Sequence, residues 1–285
     1  MHRIQGHTIK KPKCIILNLQ CWIQPSMIYT GLSRVQSLNQ LYIIDKIPFE
    51  KIAPWPDALK EVRHLENLDL SIPIVPPQNE FEIVSLNTIS LISHINDIHA
   101  DTNLICANVL LLQETSIPSN FDIGSKFSLT GKIGHFTGRG HRNGLATYFP
   151  PGFMVTRESI DEKFQLCSIS SEKFTITNVY RSKHAGVQFL TELTNHILDN
   201  STKIHVLMGD WNYCQRDESD HPVKNYLEEN NFILGFDPPQ PTHIKGRCLD
   251  QIFVRMPNST HNFVTSRKVC LYSDHEPISV KLKLD

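Results

Sequence analysis

Residues 203–213 read KIHVLMGDWNY, and the fold turns on how this stretch is read. Ile204, Val206 and Met208 alternate with His205 and Leu207 in a β-rich run that ends at Gly209. A short apolar run closed by a glycine reads as a buried strand feeding a loop. Asp210 and Asn212 follow at its mouth, so an acid and an amide stand on a rigid support. Alone the string is weak evidence, because Gly, Asp and Asn are also ordinary turn residues. Its weight comes from what surrounds it.

Outward from this stretch the pattern recurs. Residues 81–86, 108–113, 145–149, 164–170, 173–180, 249–254, 269–272 and 278–284 read as strands. Ile89, Ile92, Ile95 and Ile98 mark an amphipathic helix, and Val187, Leu190, Leu193 and Ile197 mark another over 187–198. A third spans 223–231, with Pro222 near its start. Residues 131–144 read as a Gly, His and Arg loop. Many strands with few helices predict an α/β (α+β) fold: a four-layer sandwich of two packed, mostly antiparallel sheets flanked by helices. No internal repeat is visible.

Polar residues stand where the apolar runs end. Asn87 follows FEIVSL, Gln113 and Glu114 follow NVLLL, Asn178 and Tyr180 end FTITNVY, Asp250 opens DQIFV, and Ser273-Asp274-His275 precedes the last strand. Strand ends at one edge of a sandwich can converge on one pocket. Glu114 is a hard oxygen donor suited to Mg²⁺ or Mn²⁺. Asp210 can take a proton from an attacking water, or orient it, with Asn212 fixing its direction. A His275–Asp250 pair favours the charged ring, which stabilises a phosphorane-like transition state. Tyr180 and Asn87 add donors to the non-bridging oxygens. The chemistry expected of such a set is metal-assisted phosphoester hydrolysis.

The ordered set N, QE, NVY, GDWN, LDQI and SDH resembles the exonuclease–endonuclease–phosphatase superfamily. That group includes DNase I, abasic-site endonucleases, retrotransposon endonucleases, sphingomyelinases and inositol phosphatases. The likeness spans residues 81–284. It implies Glu114 as the metal ligand with Asp274 adjoining it, Asp210 and Asn212 at the nucleophile, and Asp250 orienting His275. It also implies phosphate contacts from Tyr180 and Asn87. Two positions depart from the pattern: Ile89 stands where many abasic-site enzymes carry an acid, and Lys183 where the family has an asparagine. Lys183 is open to two readings, a phosphate contact or a solvent-facing side chain. Trp211 reads as packing.

Ahead of this region, HRIQGHTIKK from His2 and PSMIYTGLSRVQSLNQLYII from Pro25 resemble the last two motifs of superfamily-one DNA helicases related to RecD. Such helicases are common in Helitron-type mobile elements. The resemblance places Gln5, Gly6 and Thr8 in a nucleic-acid and ATP-contact loop and makes Arg34 an arginine finger. No G-x-x-x-x-G-K-[ST] string occurs, so residues 1–47 are expected to be a helicase tail or remnant without ATPase activity. Residues 48–80 hold six prolines and a three-residue apolar recurrence over 57–68, which predicts a linker with one helix. The nuclease-like domain is expected over 81–285.

The chain has 285 residues, 40% hydrophobic and 20% charged, as in soluble globular proteins. No apolar run is long enough to span a membrane, and the first residues lack a signal peptide's apolar core. Seven cysteines without a C-x-x-C pair argue for reduced thiols, hence a nuclear or cytoplasmic rather than secreted protein. A net charge of −1 means that phosphate affinity must come from local patches. Candidates are Lys132, His135, Arg139, His141 and Arg142 in the 131–144 loop, and Arg181, Lys183, Lys245 and Arg247 beside the motifs. The expected function is a Mg²⁺-dependent endonuclease (Mn²⁺ as the alternative ion) acting on DNA, with a helicase module in cis or trans and no membrane partner. The alternatives are a phosphatase or RNA deadenylase of the same superfamily, or a catalytically inactive DNA-binding remnant.

Overall fold

The computed structural model describes residues 15–18, 41–44, 80–140, 143–197, 203–214, 216, 221–257 and 263–283. The chain divides into two compact units, Met1–Pro73 and Ile74–Asp285. In the first, β1 (Ile15–Asn18) and β2 (Leu41–Ile44) pair in parallel. Gln5, Gly6, Thr8 and Arg34, and the helix expected over 57–68, lie outside the described residues.

The second unit runs β3 (Glu80–Asn87), α1 (Leu91–Ala100), α2 (Thr102–Ile105), β4 (Val109–Gln113), β5 (Ile133–Thr137), β6 (Leu145–Phe149), β7 (Met154–Ile160), β8 (Phe164–Ser170) and β9 (Phe174–Arg181). It continues with α3 (Val187–Ile197), β10 (Ile204–Asp210), α4 (Pro222–Glu229), β11 (Ile233–Leu234), β12 (Asp250–Arg255), β13 (Phe263–Arg267) and β14 (Ile278–Lys283). The strands form two six-stranded sheets, ordered β13-β14-β3-β4-β6-β5 and β11-β12-β10-β9-β8-β7. In each sheet the central pair is parallel and its other pairs are antiparallel. A parallel pair needs a crossover. Here α1 and α2 join β3 to β4, and α3 joins β9 to β10. Both strands of a parallel pair end at the same edge, so Asn87 lies opposite Gln113 in one sheet and Tyr180 opposite Asp210 in the other.

Three apolar seams hold the layers. Between the sheets, Ile83, Val109 and Leu111 share a core with Ile176, Val206, Met208 and Ile252. On one outer face Leu91, Ile95 and Ile98 of α1 cover Val84, Leu86, Leu110 and Leu112. On the other, Phe189 and Leu193 of α3 and Val223 and Leu227 of α4 cover Leu166, Val179, Leu207 and Phe253. Each such side chain, removed from water, contributes about 1.5–3 kcal/mol. Central strands buried on both faces read as unbroken apolar runs, and this is the four-layer sandwich expected.

Several local expectations need correction. Ile89 does not begin the first helix: its φ is 58°, and it is 43% exposed. Ser90 caps α1 instead, its hydroxyl accepting from the Ser93 amide at 3.4 Å, and the buried stripe is Leu91, Ile95 and Ile98. The supposed loop over 131–144 contains β5. Residues 269–272 are not a strand, and Val269 and Leu271 are exposed; β13 lies just before them. No helix among the described residues is long and apolar enough to cross a membrane.

Candidate active site

Gly209 lets β10 close on β9. Its φ is 148°, and a Cβ there would lie 1.9 Å from the Val179 carbonyl oxygen. The glycine thereby fixes where the next residue, Asp210, emerges. Asp210 is buried, and every oxygen of its carboxylate is held. Oδ2 accepts from Asn87 Nδ2 at 2.8 Å and Asn212 Nδ2 at 3.0 Å, and Oδ1 accepts from the Asn212 amide at 2.9 Å. Asn212 makes both contacts from a left-handed backbone, φ 49°.

The bond from Asn87 crosses between the sheets, since Asn87 ends β3. A second crossing lies beneath it. Gln113 Nε2 donates to Asn178 Oδ1 at 2.6 Å, while Asn178 Nδ2 reaches Leu112 O, Ala146 O and Thr147 Oγ1 at 3.1–3.3 Å. Buried amides satisfied this fully fix one alignment of the two sheets.

Asp250 opens β12 directly opposite Asp210 in the antiparallel register. Its Oδ2 lies 2.7 Å from His275 Nδ1. The Thr242 hydroxyl accepts from the Leu249 and Asp250 amides at 3.1 and 3.0 Å, which fixes the start of that strand. Ser273 donates to the Asn87 carbonyl at 2.7 Å and accepts from the His275 amide at 3.1 Å. His275 is thus positioned through both its ring and its backbone.

Burial disfavours a lone carboxylate, and the Asp250 charge adds to this. Together they lift Asp210 to about 7 against the opposing pull of His275, Asn87 and the Asn212 amide. Burial also opposes a charge on His275, but Asp250, with Asp210 and Asp274, outweighs it and raises the ring to about 10. Near neutrality the cluster pairs a protonated imidazole with a carboxylate poised to gain or lose its proton.

The other expected site residues divide. Glu114 follows β4 with φ 50°, half-buried, and among the described residues its carboxylate has no hydrogen-bond or ion-pair partner. Asp274 faces two imidazoles, 3.3 Å from His243 Nε2 and 3.8 Å from His275 Nε2. Tyr180 is buried beside Leu145 and Cys167. Arg181 is not placed as a substrate contact: it is buried, its guanidinium donating to the Trp211 and Ala185 carbonyls. Arg139 donates to the Ser119 and Phe121 carbonyls, Lys132 to Ile105 O, and His135 meets Glu158, so these cations of the basic loop are engaged internally. Lys183 is exposed, as are Lys245 and Arg247. His141 and Arg142 lie outside the described residues. Trp211 is fully buried against Phe189 and Phe253, as expected.

Sequence reading missed His243 and Thr242. His243 pairs with His275 through an isolated β-bridge, and the rings meet edge to face at 4.9 Å. Burial and the His275 charge depress its pKa despite Asp274 and Asp250. No local pattern marks it. Its approach to the site is purely tertiary.

Residues 83–275 match the Endonuclease/Exonuclease/phosphatase family. No curated protein sequence matches the chain. Among solved structures, the AP endonuclease LMAP from Leishmania major superposes with a TM-score of 0.58 at 15% identity, over 74% of this chain and 90% of that one. The 3'-5' exonuclease NExo from Neisseria meningitidis gives 0.57 at 17% identity, over 71% and 100%. An AP endonuclease from Archaeoglobus fulgidus gives 0.56 at 16% identity, over 70% and 98%. At these identities the likeness is one of fold.

Proposed function

The chain belongs to the endonuclease/exonuclease/phosphatase family, and from that premise we propose that it is a metal-dependent endonuclease that hydrolyses DNA phosphodiester bonds. The observation that carries this reading is the Asp210 carboxylate, held by Asn87 from one sheet and by Asn212 from the other, across from the Asp250–His275 pair. Asp210, raised to about 7, is a base matched to neutral pH. Asn87 and Asn212 fix the direction in which it takes a proton from the attacking water. Protonated His275, kept charged and oriented by Asp250, neutralises charge developing on the phosphoryl oxygens.

The donor set fits a hard divalent cation. Glu114 is an unpartnered carboxylate, among the described residues, at the end of a rigid strand, and Mg²⁺ needs only one or two protein carboxylates beside its waters. Glu114 would hold Mg²⁺ or Mn²⁺, with Asp274 beside His275 as the second acid. Ile89 offers none. A bound ion supplies Lewis-acid stabilisation of the phosphoryl charge.

DNA is favoured over a lipid or inositol phosphate because the first residues resemble a DNA helicase tail. The similar solved structures also include AP endonucleases and an exonuclease. A helicase-like segment beside such a domain fits the helicase–endonuclease of a mobile element. Exposed Lys183, Lys245 and Arg247 supply the local positive charge that phosphate binding needs. The test is nicking of supercoiled plasmid by the purified chain with Mg²⁺ and with EDTA. Nicking should require the metal and fall about 10²–10⁴-fold in Asp210→Ala. Nicking that survives both EDTA and Asp210→Ala would refute the reading.

A further inference from the structure

β5 and β7 are end strands of the two sheets, and side chains of His135, Thr137 and Glu158 bridge them. There His135 of β5, Glu158 of β7 and Cys167 of β8 bring a ring nitrogen, a carboxylate oxygen and a thiol sulfur within 4.8 Å of one another. His135 Nε2 lies 2.8 Å from Glu158 Oε1, and the Thr137 hydroxyl donates to the same oxygen. The Cys167 sulfur is buried beside the Thr137 and Thr147 hydroxyls. The His135 and Glu158 side chains are 33% and 35% exposed, so the cluster opens to solvent on one side.

We propose that His135, Glu158 and Cys167 form a binding site for a zinc-class transition-metal ion that clamps the edges of the two sheets together. The donors decide the class. One sulfur, one imidazole and one carboxylate suit Zn²⁺, whereas Mg²⁺ and Ca²⁺ take oxygen ligands. In a tetrahedral site, ligand atoms at about 2.0–2.3 Å from the ion stand roughly 3.3–3.8 Å apart. The three donors reach that spacing by small side-chain shifts. The ion replaces the proton shared by His135 and Glu158, the thiol proton leaves to solvent, and water takes the fourth position. Thr137 and Thr147 are outer-shell partners that orient the carboxylate and the sulfur. An ion here ties two sheet edges that otherwise end in unpaired strands.

The site is independent of the nuclease reading, and its signature is sulfur. The full reduced chain, stripped with EDTA, is titrated with Co²⁺ and followed by absorption. The expected result is a thiolate-to-cobalt charge-transfer band in the near-ultraviolet, saturating at one equivalent and bleached by Zn²⁺. Cys167→Ser should abolish the band, and His135→Gln or Glu158→Gln should weaken Co²⁺ binding by more than the roughly tenfold to hundredfold typical of an outer-shell loss. Zn²⁺ should raise the Tm of the parent and not of Glu158→Gln, a readout that holds even if Cys167→Ser fails to fold. No band, a band that survives Cys167→Ser, or equal Co²⁺ binding by parent and Glu158→Gln would overturn the proposal and leave an ordinary His–Glu surface pair.

Discussion

Among the described residues, two places bury histidines, and they leave them in opposite states. His275 lies against Asp250 and is pushed up to about 10. His196 of α3 meets, among the described residues, the hydroxyls of Ser168, 2.7 Å from Nδ1, and Ser159, 3.1 Å from Nε2; its neighbour His205 meets Thr177 Oγ1 at 3.1 Å. Burial, with Arg157 nearby, brings His196 down to about 4, and burial with Arg255 and His196 brings His205 to about 3. All three rings are hydrogen-bonded and buried. The difference is a carboxylate in direct contact: Glu192 also draws His196 upward, but less than burial and Arg157 lower it. Burial without such a contact leaves a histidine neutral, and burial against a fixed negative charge makes it a cation.

The largest test of this contrast is Asp250→Asn, which should make His275 resemble the other pair. In the parent, kcat/KM should be bell-shaped, rising through about 7 as Asp210 ionises and falling through about 10 as His275 loses its proton. The variant should lose about 10²–10⁴-fold in rate, and its alkaline limb should move well below that of the parent, as read in a pH–rate profile. An unmoved alkaline limb would break the comparison.

Stability offers a second test, with opposite signs at the two places. His275, raised from 6.5, contributes stability that is complete below 6.5 and lost as pH climbs from 6.5 through about 10. His205, lowered from 6.5, contributes stability that is present above 6.5 and lost as pH falls from 6.5 toward about 3. Urea midpoints across pH should therefore fall on both sides of 6.5, and Asp250→Asn should flatten the alkaline side alone. In the other cluster, Ser168→Ala leaves a buried imidazole nitrogen without its partner. It should cost about 1–3 kcal/mol in urea unfolding with the nicking rate unchanged.

The smallest expected effect is at Ile89. A β-branched residue with φ 58° is strained. Ile89→Gly should stabilise the fold by about 1 kcal/mol, measured as a rise in Tm. A loss would mean that the exposed side chain makes contacts outweighing the strain.

How much of this was legible depended on burial. β6 and β8 were found to the residue, because LATYF and FQLCSIS are β-rich runs opened by large apolar residues, and both are fully buried. β7 was missed because MVTRESI is a largely exposed edge strand with little alternation. The VCLY run at 269–272 misled for the converse reason: Val269 and Leu271 are apolar yet exposed, and the run has no strand partner among the described residues. Asp210, Asn212, Asp250 and His275, which the structure brings into one cluster, stood out in the sequence at strand ends and in short motifs. Arg181 was misjudged from its position beside Tyr180, since nothing local says that a guanidinium turns inward to the Trp211 carbonyl. His243 and Thr242 were invisible because only the pairing of residues 242–244 with 274–276 brings them in. The sequence also shows no repeat, yet the two sheets share one plan, a parallel centre flanked by antiparallel strands.

That shared plan has a consequence for the birth of the protein. The residues at the cluster come from positions 87, 210, 212, 250 and 275, and long stretches of chain separate most of them. A ribosome exposes Asn87 long before His275, and nothing can complete the cluster until translation has passed residue 275. Domains fold largely as units as they emerge. The nascent polypeptide therefore carries Asn87, Asp210 and Asp250 as separate parts, and the cluster becomes complete only when His275 joins them.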